Sequence, residues 1–120
     1  MVAGDDLSGF WAGIVVQGSD ATRVFLNLSV EEDNTISGSY EVPTSPSIYR
    51  TGIFSGTYYD DALTITLTGN DAHGALEFKL NVIQVGVAYM LLGYTSGAIL
   101  ASLTAFRFGG ESRQIPGIWP

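Results

Sequence analysis

At 120 residues and 46% hydrophobic content, the chain is long enough for one core and too short for two. Only 14% of its residues are charged, yet 12 acidic residues face 5 basic ones, so the net charge is -7 at pH 7. Arg23, Arg50, Lys79, Arg107 and Arg113 stand singly, which excludes a phosphate-tracking stripe and a polybasic membrane patch, and the absence of cysteine excludes disulfides, thiol catalysis and thiolate metal sites.

The opening Met1-Val2-Ala3-Gly4-Asp5-Asp6 has no basic or apolar signal-like run, and no stretch reaches the roughly 18 apolar residues of a membrane helix. A soluble acidic protein is expected, binding neither nucleic acid nor membrane. Its compartment stays open between the cytoplasm and export with the signal removed.

No window carries a 3.6-residue apolar period, whereas turn signals recur at Gly18-Ser19-Asp20, Asp33-Asn34, Pro43 to Ser47, Asp60-Asp61, Gly69 to Gly74, Val85-Gly86 and Ser96-Gly97. These breaks predict eight strands and no helix, at about 8–17, 22–31, 35–42, 48–59, 62–69, 75–84, 87–95 and 98–108. Val24, Leu26, Leu28 and Val30 alternate with polar residues, as do Leu63, Ile65 and Leu67, and Leu76, Phe78, Leu80 and Val82. Each such strand has one dry face and one wet face. Short connections force sequential antiparallel pairing, and closing the sheet removes both free edges. The expected fold is therefore all-β: an eight-stranded antiparallel up-and-down barrel over 1–108, followed by an extended tail, 109–120. A two-layer sandwich is the alternative. Gly13, Gly38, Gly52, Gly56 and Gly93 fall inside strands, where a small barrel bends sharply.

Strands one, seven and eight are apolar on both faces, which a solvent-facing strand should not be. In a closed meander they are neighbours, so a homo-oligomer, dimer or tetramer, is expected through them. Phe10, Ala12, Ile14 and Val16 would face outward with Leu100, Phe106 and Phe108. The other reading is that the apolar tail, with Ile115, Ile118 and Trp119, covers this surface.

Gly9-Phe10-Trp11 opens the first strand, and Gly-x-Trp there resembles the calycin barrels, the group of lipocalins and avidins. Ile36-Ser37-Gly38-Ser39-Tyr40-Glu41 looks like the third avidin strand, and Tyr49 to Tyr59 resembles the fourth. The likeness implies that Trp11 plugs one end of the barrel while Arg107 packs across it, a structural cation–π pair. Inward Arg107 would place Ala105, Leu103, Ala101 and Ile99 inward too. Tyr40 stands where avidins place a ligand-contacting tyrosine. The rest of that shell departs: Val42 replaces a serine, and Phe78 and Met90 replace tryptophans. The resemblance therefore implies a binding barrel and not biotin.

His73 is the single histidine, set in the turn Asn70-Asp71-Ala72-His73-Gly74, and the acidic pairs Asp5-Asp6 and Asp60-Asp61 lack the spaced oxygen ligands of a dedicated cation site. No metal and no cofactor is expected. What remains is aromatic: 6 Tyr, 6 Phe and 2 Trp. The expected function is a barrel holding an apolar or amphipathic small molecule, lined by Gln17, Tyr40, Phe54, Tyr58, Phe78, Tyr89, Met90 and Leu103. One alternative is a cofactor-independent cyclase or isomerase that positions a hydrophobic polyene or polyketide-like chain, with Tyr40, Glu41 and Tyr89 as hydroxyl and acid. Another is a protein-binding or inhibitor module using its loops or the tail.

Overall fold

The computed structural model describes residues 2–45, 48–71, 74–97 and 100–109, and only the backbone at 43–45, 48, 49, 71, 108 and 109. Eight strands follow in chain order: β1 Gly9–Gln17, β2 Asp20–Val30, β3 Thr35–Ser45, β4 Ile48–Tyr59, β5 Thr64–Asp71, β6 Gly74–Val85, β7 Ala88–Gly97 and β8 Ala101–Gly109. Each pairs antiparallel with the next, and β8 closes on β1 with Trp11 opposite Arg107. The sheet is the expected up-and-down barrel, and no sandwich forms.

Alternation sets which side chains enter the barrel. Val24, Leu26, Leu28, Ile65, Leu67, Leu76, Phe78, Leu80 and Val82 are all buried in one apolar cluster with Trp11, Leu91 and Leu103. Closure needs backbone to approach backbone inside the bends. A Cβ on Gly13 would collide with the Thr104 carbonyl oxygen across the β1–β8 seam, so only glycine lets that seam close.

Pro43 lies in β3 although proline gives no N–H to a ladder. The β2–β3 pairing ends at Phe25 opposite Glu41, short of Pro43, and the β3–β4 register shifts between Pro43 and Ser45. The proline thus sits at a bulge where β3 has a partner on one side only.

The expectation of a helix-free chain needs one correction: Gly4–Asp6 form a single 3₁₀ turn, closed by the Leu7 N–H on the Gly4 carbonyl at 2.9 Å. Three residues without a side-chain cap leave no periodic trace in the sequence. No helix among the described residues is long and apolar enough to cross a membrane.

The outward set also changes. Ile14, Val16 and Phe106 are exposed on the outer surface and are joined there by Leu92 and Tyr94 of β7. Phe10 faces outward too, yet it is buried and stacked on Phe25, with ring centroids 5.8 Å apart. Leu100 is exposed but precedes β8. The Phe108 side chain, Ile99, His73 and the tail from 110 to 120 lie outside the described residues.

Candidate functional site

The two ends of the barrel differ in chemistry. At one end the N-terminal segment folds over the opening: Val2 and Leu7 are buried in the core cluster, and the Tyr58 hydroxyl donates to the Val2 carbonyl at 2.6 Å. Trp11 Nε1 donates to the Leu7 carbonyl and Arg107 Nε to the Ser8 carbonyl, both at 2.9 Å, while Ser8 Oγ accepts the Val30 N–H at 2.9 Å. Trp11 and Arg107 therefore serve this plug through main-chain carbonyls, which cross-links the N-terminal segment to β1, β2 and β8. Burial pushes the Tyr58 hydroxyl above its ordinary value, and the negative charges of Asp60 and Asp6 and the nearby Tyr89 add to that.

Above the plug the barrel is packed with side chains. Leu26, Ile65, Leu76, Phe78, Leu91 and Leu103 retain essentially no accessible surface, which a void wide enough for water would have given to its lining. Three rings form the next layer: Tyr40 lies 5.4 Å from Phe78 and 6.1 Å from Phe54, and Phe54 lies 5.9 Å from Phe78. Two of these contacts are edge-on and one is stacked, the geometries that aromatic quadrupoles favour. The Tyr40 ring fits because β4 and β5 carry glycine beneath it. A Cβ on Gly52 would lie 2.6 Å from Tyr40 Oη, and one on Gly69 would lie 2.7 Å from Tyr40 Cε1.

Beyond this aromatic floor, toward the end carrying the β1–β2, β3–β4, β5–β6 and β7–β8 connections, the inward positions are mixed: Val24, Val42, Leu76 and Ala101 stay apolar and buried, and two polar side chains join them. Arg50 of β4 (6% exposed) and Thr95 of β7 (2%) are the buried polar side chains among the described residues, and both lie at this end of their strands. Arg50 is one inward step from Gly52 and pairs across the ladder with Val42, while Thr95 pairs with Phe78 and Ala101. The result is an apolar floor of three rings, one of them bearing a hydroxyl, beneath a guanidinium and a threonine hydroxyl.

The candidates named from the sequence are divided by this geometry. Tyr40, Phe54 and Phe78 come together in the floor. Gln17 ends β1 on the same side and is exposed, and Leu103 packs within the barrel beside Val15 and Gly93. Tyr58 belongs to the plug, and Tyr89, packed on the core at the start of β7, lies near it. Met90 faces outward opposite Phe106. Glu41 follows Tyr40 and so points to the opposite face of β3, where partial burial raises its carboxyl above the ordinary value. Tyr40, Glu41 and Tyr89 are not brought into one constellation.

Sequence reasoning passed over Arg50 and Thr95. The signal was the strand period: two-residue steps back from Tyr58 through Gly56, Phe54 and Gly52 reach Arg50. Among the described residues no group of three or more His, Cys, Asp or Glu gathers to hold a metal ion. Comparison of the chain with protein-family models, with curated proteins and with solved structures gave no match.

Proposed function

We propose that the protein is a small-molecule-binding barrel whose ligand enters at the end opposite the N-terminal plug and reaches the Tyr40, Phe54 and Phe78 rings by displacing the side chains that bury them without it. The observation that carries this reading is that the two buried polar side chains among the described residues, Arg50 and Thr95, both stand at that end, close to the three rings. Ligand sites combine a mostly apolar lining with a few oriented polar groups. A guanidinium pairs bidentately with a carboxylate, so an amphipathic molecule whose carboxylate takes the place of a partner Arg50 already has, its apolar part toward the rings, suits this arrangement best. The resemblance of Gly9-Phe10-Trp11, with Arg107 opposite Trp11, to the calycin barrels supports the same reading. The missing biotin-shell residues argue for a different ligand.

The test begins with native mass spectrometry of the purified protein, followed by solvent extraction of whatever it carries. A fluorescent polyene fatty acid is then titrated into wild type and Arg50→Gln. Saturable binding at one molecule per chain, weakened about tenfold by the substitution, is expected from the loss of one charge-assisted contact. Absence of saturable binding, or equal affinity in both proteins, overturns the proposal.

A further inference from the structure

We propose that the outer face formed by β7, β8 and β1 docks a second copy of this chain, with β8 stacked antiparallel on β8 of the other molecule. The ladder places nine outward positions in three rows: Met90, Phe106 and Ala12; Leu92, Thr104 and Ile14; Tyr94, Ser102 and Val16. None carries a charge at neutral pH. Five of the nine are large and exposed, with Ile14 and Phe106 at 50% and Tyr94 at 47%. Isolated exposed apolar residues are ordinary, but adjacent rows across three hydrogen-bonded strands mark an interaction surface.

Charge selects the occupant. The chain carries -7, and its exposed acids among the described residues stand off these nine positions: Asp5 before β1, Asp20 at the β1–β2 turn, Glu31, Glu32 and Asp33 in the β2–β3 turn, Asp60 and Asp61 after β4, and Glu77 on β6. Two copies repel over most approaches. On the β7–β8–β1 face neutral surface meets neutral surface, and the acidic turns are carried around the barrel, where salt screens charges over about 8 Å. A basic protein would gain nothing on this face and would find the acids on others. An anionic bilayer would be repelled by the net charge and would meet cations only at the two edges of the face, Arg23 beside Ile14 and Lys79 beside Tyr94.

Shape makes the face self-complementary. Along β8 the outward side chains run from small to large, Ser102, Thr104, Phe106. A two-fold axis lying in the interface across β8 at Thr104 sets Phe106 of each molecule over Ser102 of the other. The same rotation brings Met90 over the second copy's Tyr94, a favourable sulfur–aromatic contact, and Ala12 over Val16. Large residues thus meet small or adaptable ones, as packed sheet faces require.

Sedimentation velocity over about 1 to 100 μM tests this, with circular dichroism to verify folding. Wild type is expected at twice the chain mass. Thr104→Arg, at the centre of the face, is expected to weaken association at least tenfold, and Leu92→Ser, a truncation that adds no charge, to weaken it in the same direction. Ile53→Glu, on the exposed outer face of β4, serves as control and leaves the dimer intact. A monomeric wild type at the highest concentration overturns the proposal, as does a dimer insensitive to both face variants or dispersed equally by Ile53→Glu. A monomer that co-sediments with phosphatidylcholine vesicles assigns the face to a bilayer and also overturns it.

Discussion

Tyr58, the penultimate residue of β4, donates its hydroxyl to the carbonyl of Val2 at 2.6 Å, tying the end of one strand to the segment that covers the barrel. Both residues are buried, so the bond is shielded and the Val2 carbonyl has no access to bulk water if it is lost. Tyr58→Phe is expected to cost about 1–3 kcal/mol in urea unfolding, the penalty for an unsatisfied buried acceptor.

The same phenol produces a pH dependence. Its folded-state value is raised, so its contribution is fully present below the ordinary tyrosine value of roughly 10 and declines as pH rises through the folded value. Wild type should therefore lose more stability above pH 10 than Tyr58→Phe does, measured as the difference in urea midpoint between the two proteins from pH 8 to 11.

Phe78 holds the aromatic floor together, since both Tyr40 and Phe54 meet its ring edge-on. Phe78→Ala should destabilise the barrel by about 3–5 kcal/mol through lost burial and the cavity left behind. The void would be walled by apolar atoms, so benzene should restore part of the loss, read as a rise in melting temperature on saturation with benzene. No rise would show that the floor collapses into the gap.

Leu63 adopts a left-handed backbone, with φ of 54°, in the turn between β4 and β5. A branched side chain is disfavoured there, whereas asparagine tolerates the conformation. Leu63→Asn should raise stability by about 0.5–1 kcal/mol, because the Leu63 carbonyl that accepts the Val82 N–H at 2.8 Å is main chain and stays in place. Thermal unfolding reads the change directly.

Asp33 accepts the Thr35 N–H through Oδ1 at 3.0 Å, and hydrogen bonds from the Thr35 side chain and backbone hold its carboxyl below the usual aspartate range. The stability from this shift is present above the ordinary aspartate value and is lost as pH falls through the lower folded value. The advantage of wild type over Asp33→Ala should therefore shrink between pH 5 and pH 2 in acid-unfolding titrations. A constant difference over that range would exclude the carboxylate as its source.

Most of the barrel was legible because its strands are one-sided. In β2, β5 and β6 the two-residue alternation identifies the inward face of each, except that Leu63, read as part of the dry face of the fifth strand, lies exposed in the turn before β5; turn residues set the strand lengths to within a few positions. The covering of one end was not legible, because it depends on Tyr58 meeting Val2 far along the chain, and a three-residue turn has no period to detect. Arg50 was hidden for another reason. A lone arginine among Thr, Ser and Tyr reads as solvent-facing, and only the phase of its own strand, counted from Tyr58, turns it inward. Met90 illustrates the converse, since in a strand apolar on both faces composition cannot choose the side, and only its pairing with Phe106 does.

The seam between β1 and β8 governs how the cylinder is latched. Seven ladders join strands adjacent in sequence, each closing a short hairpin, whereas the eighth brings Trp11 beside Arg107 and spans nearly the whole ribbon. By the logarithmic growth of loop entropy, fastening this seam costs about 2 kcal/mol more chain freedom than closing a hairpin. Its backbone amides are therefore the ones to watch in native-state hydrogen exchange. If the latch opens before the staves separate, the seam amides of β1 and β8 exchange sooner than those of the β5–β6 ladder, and the barrel breathes as a sheet that briefly uncurls.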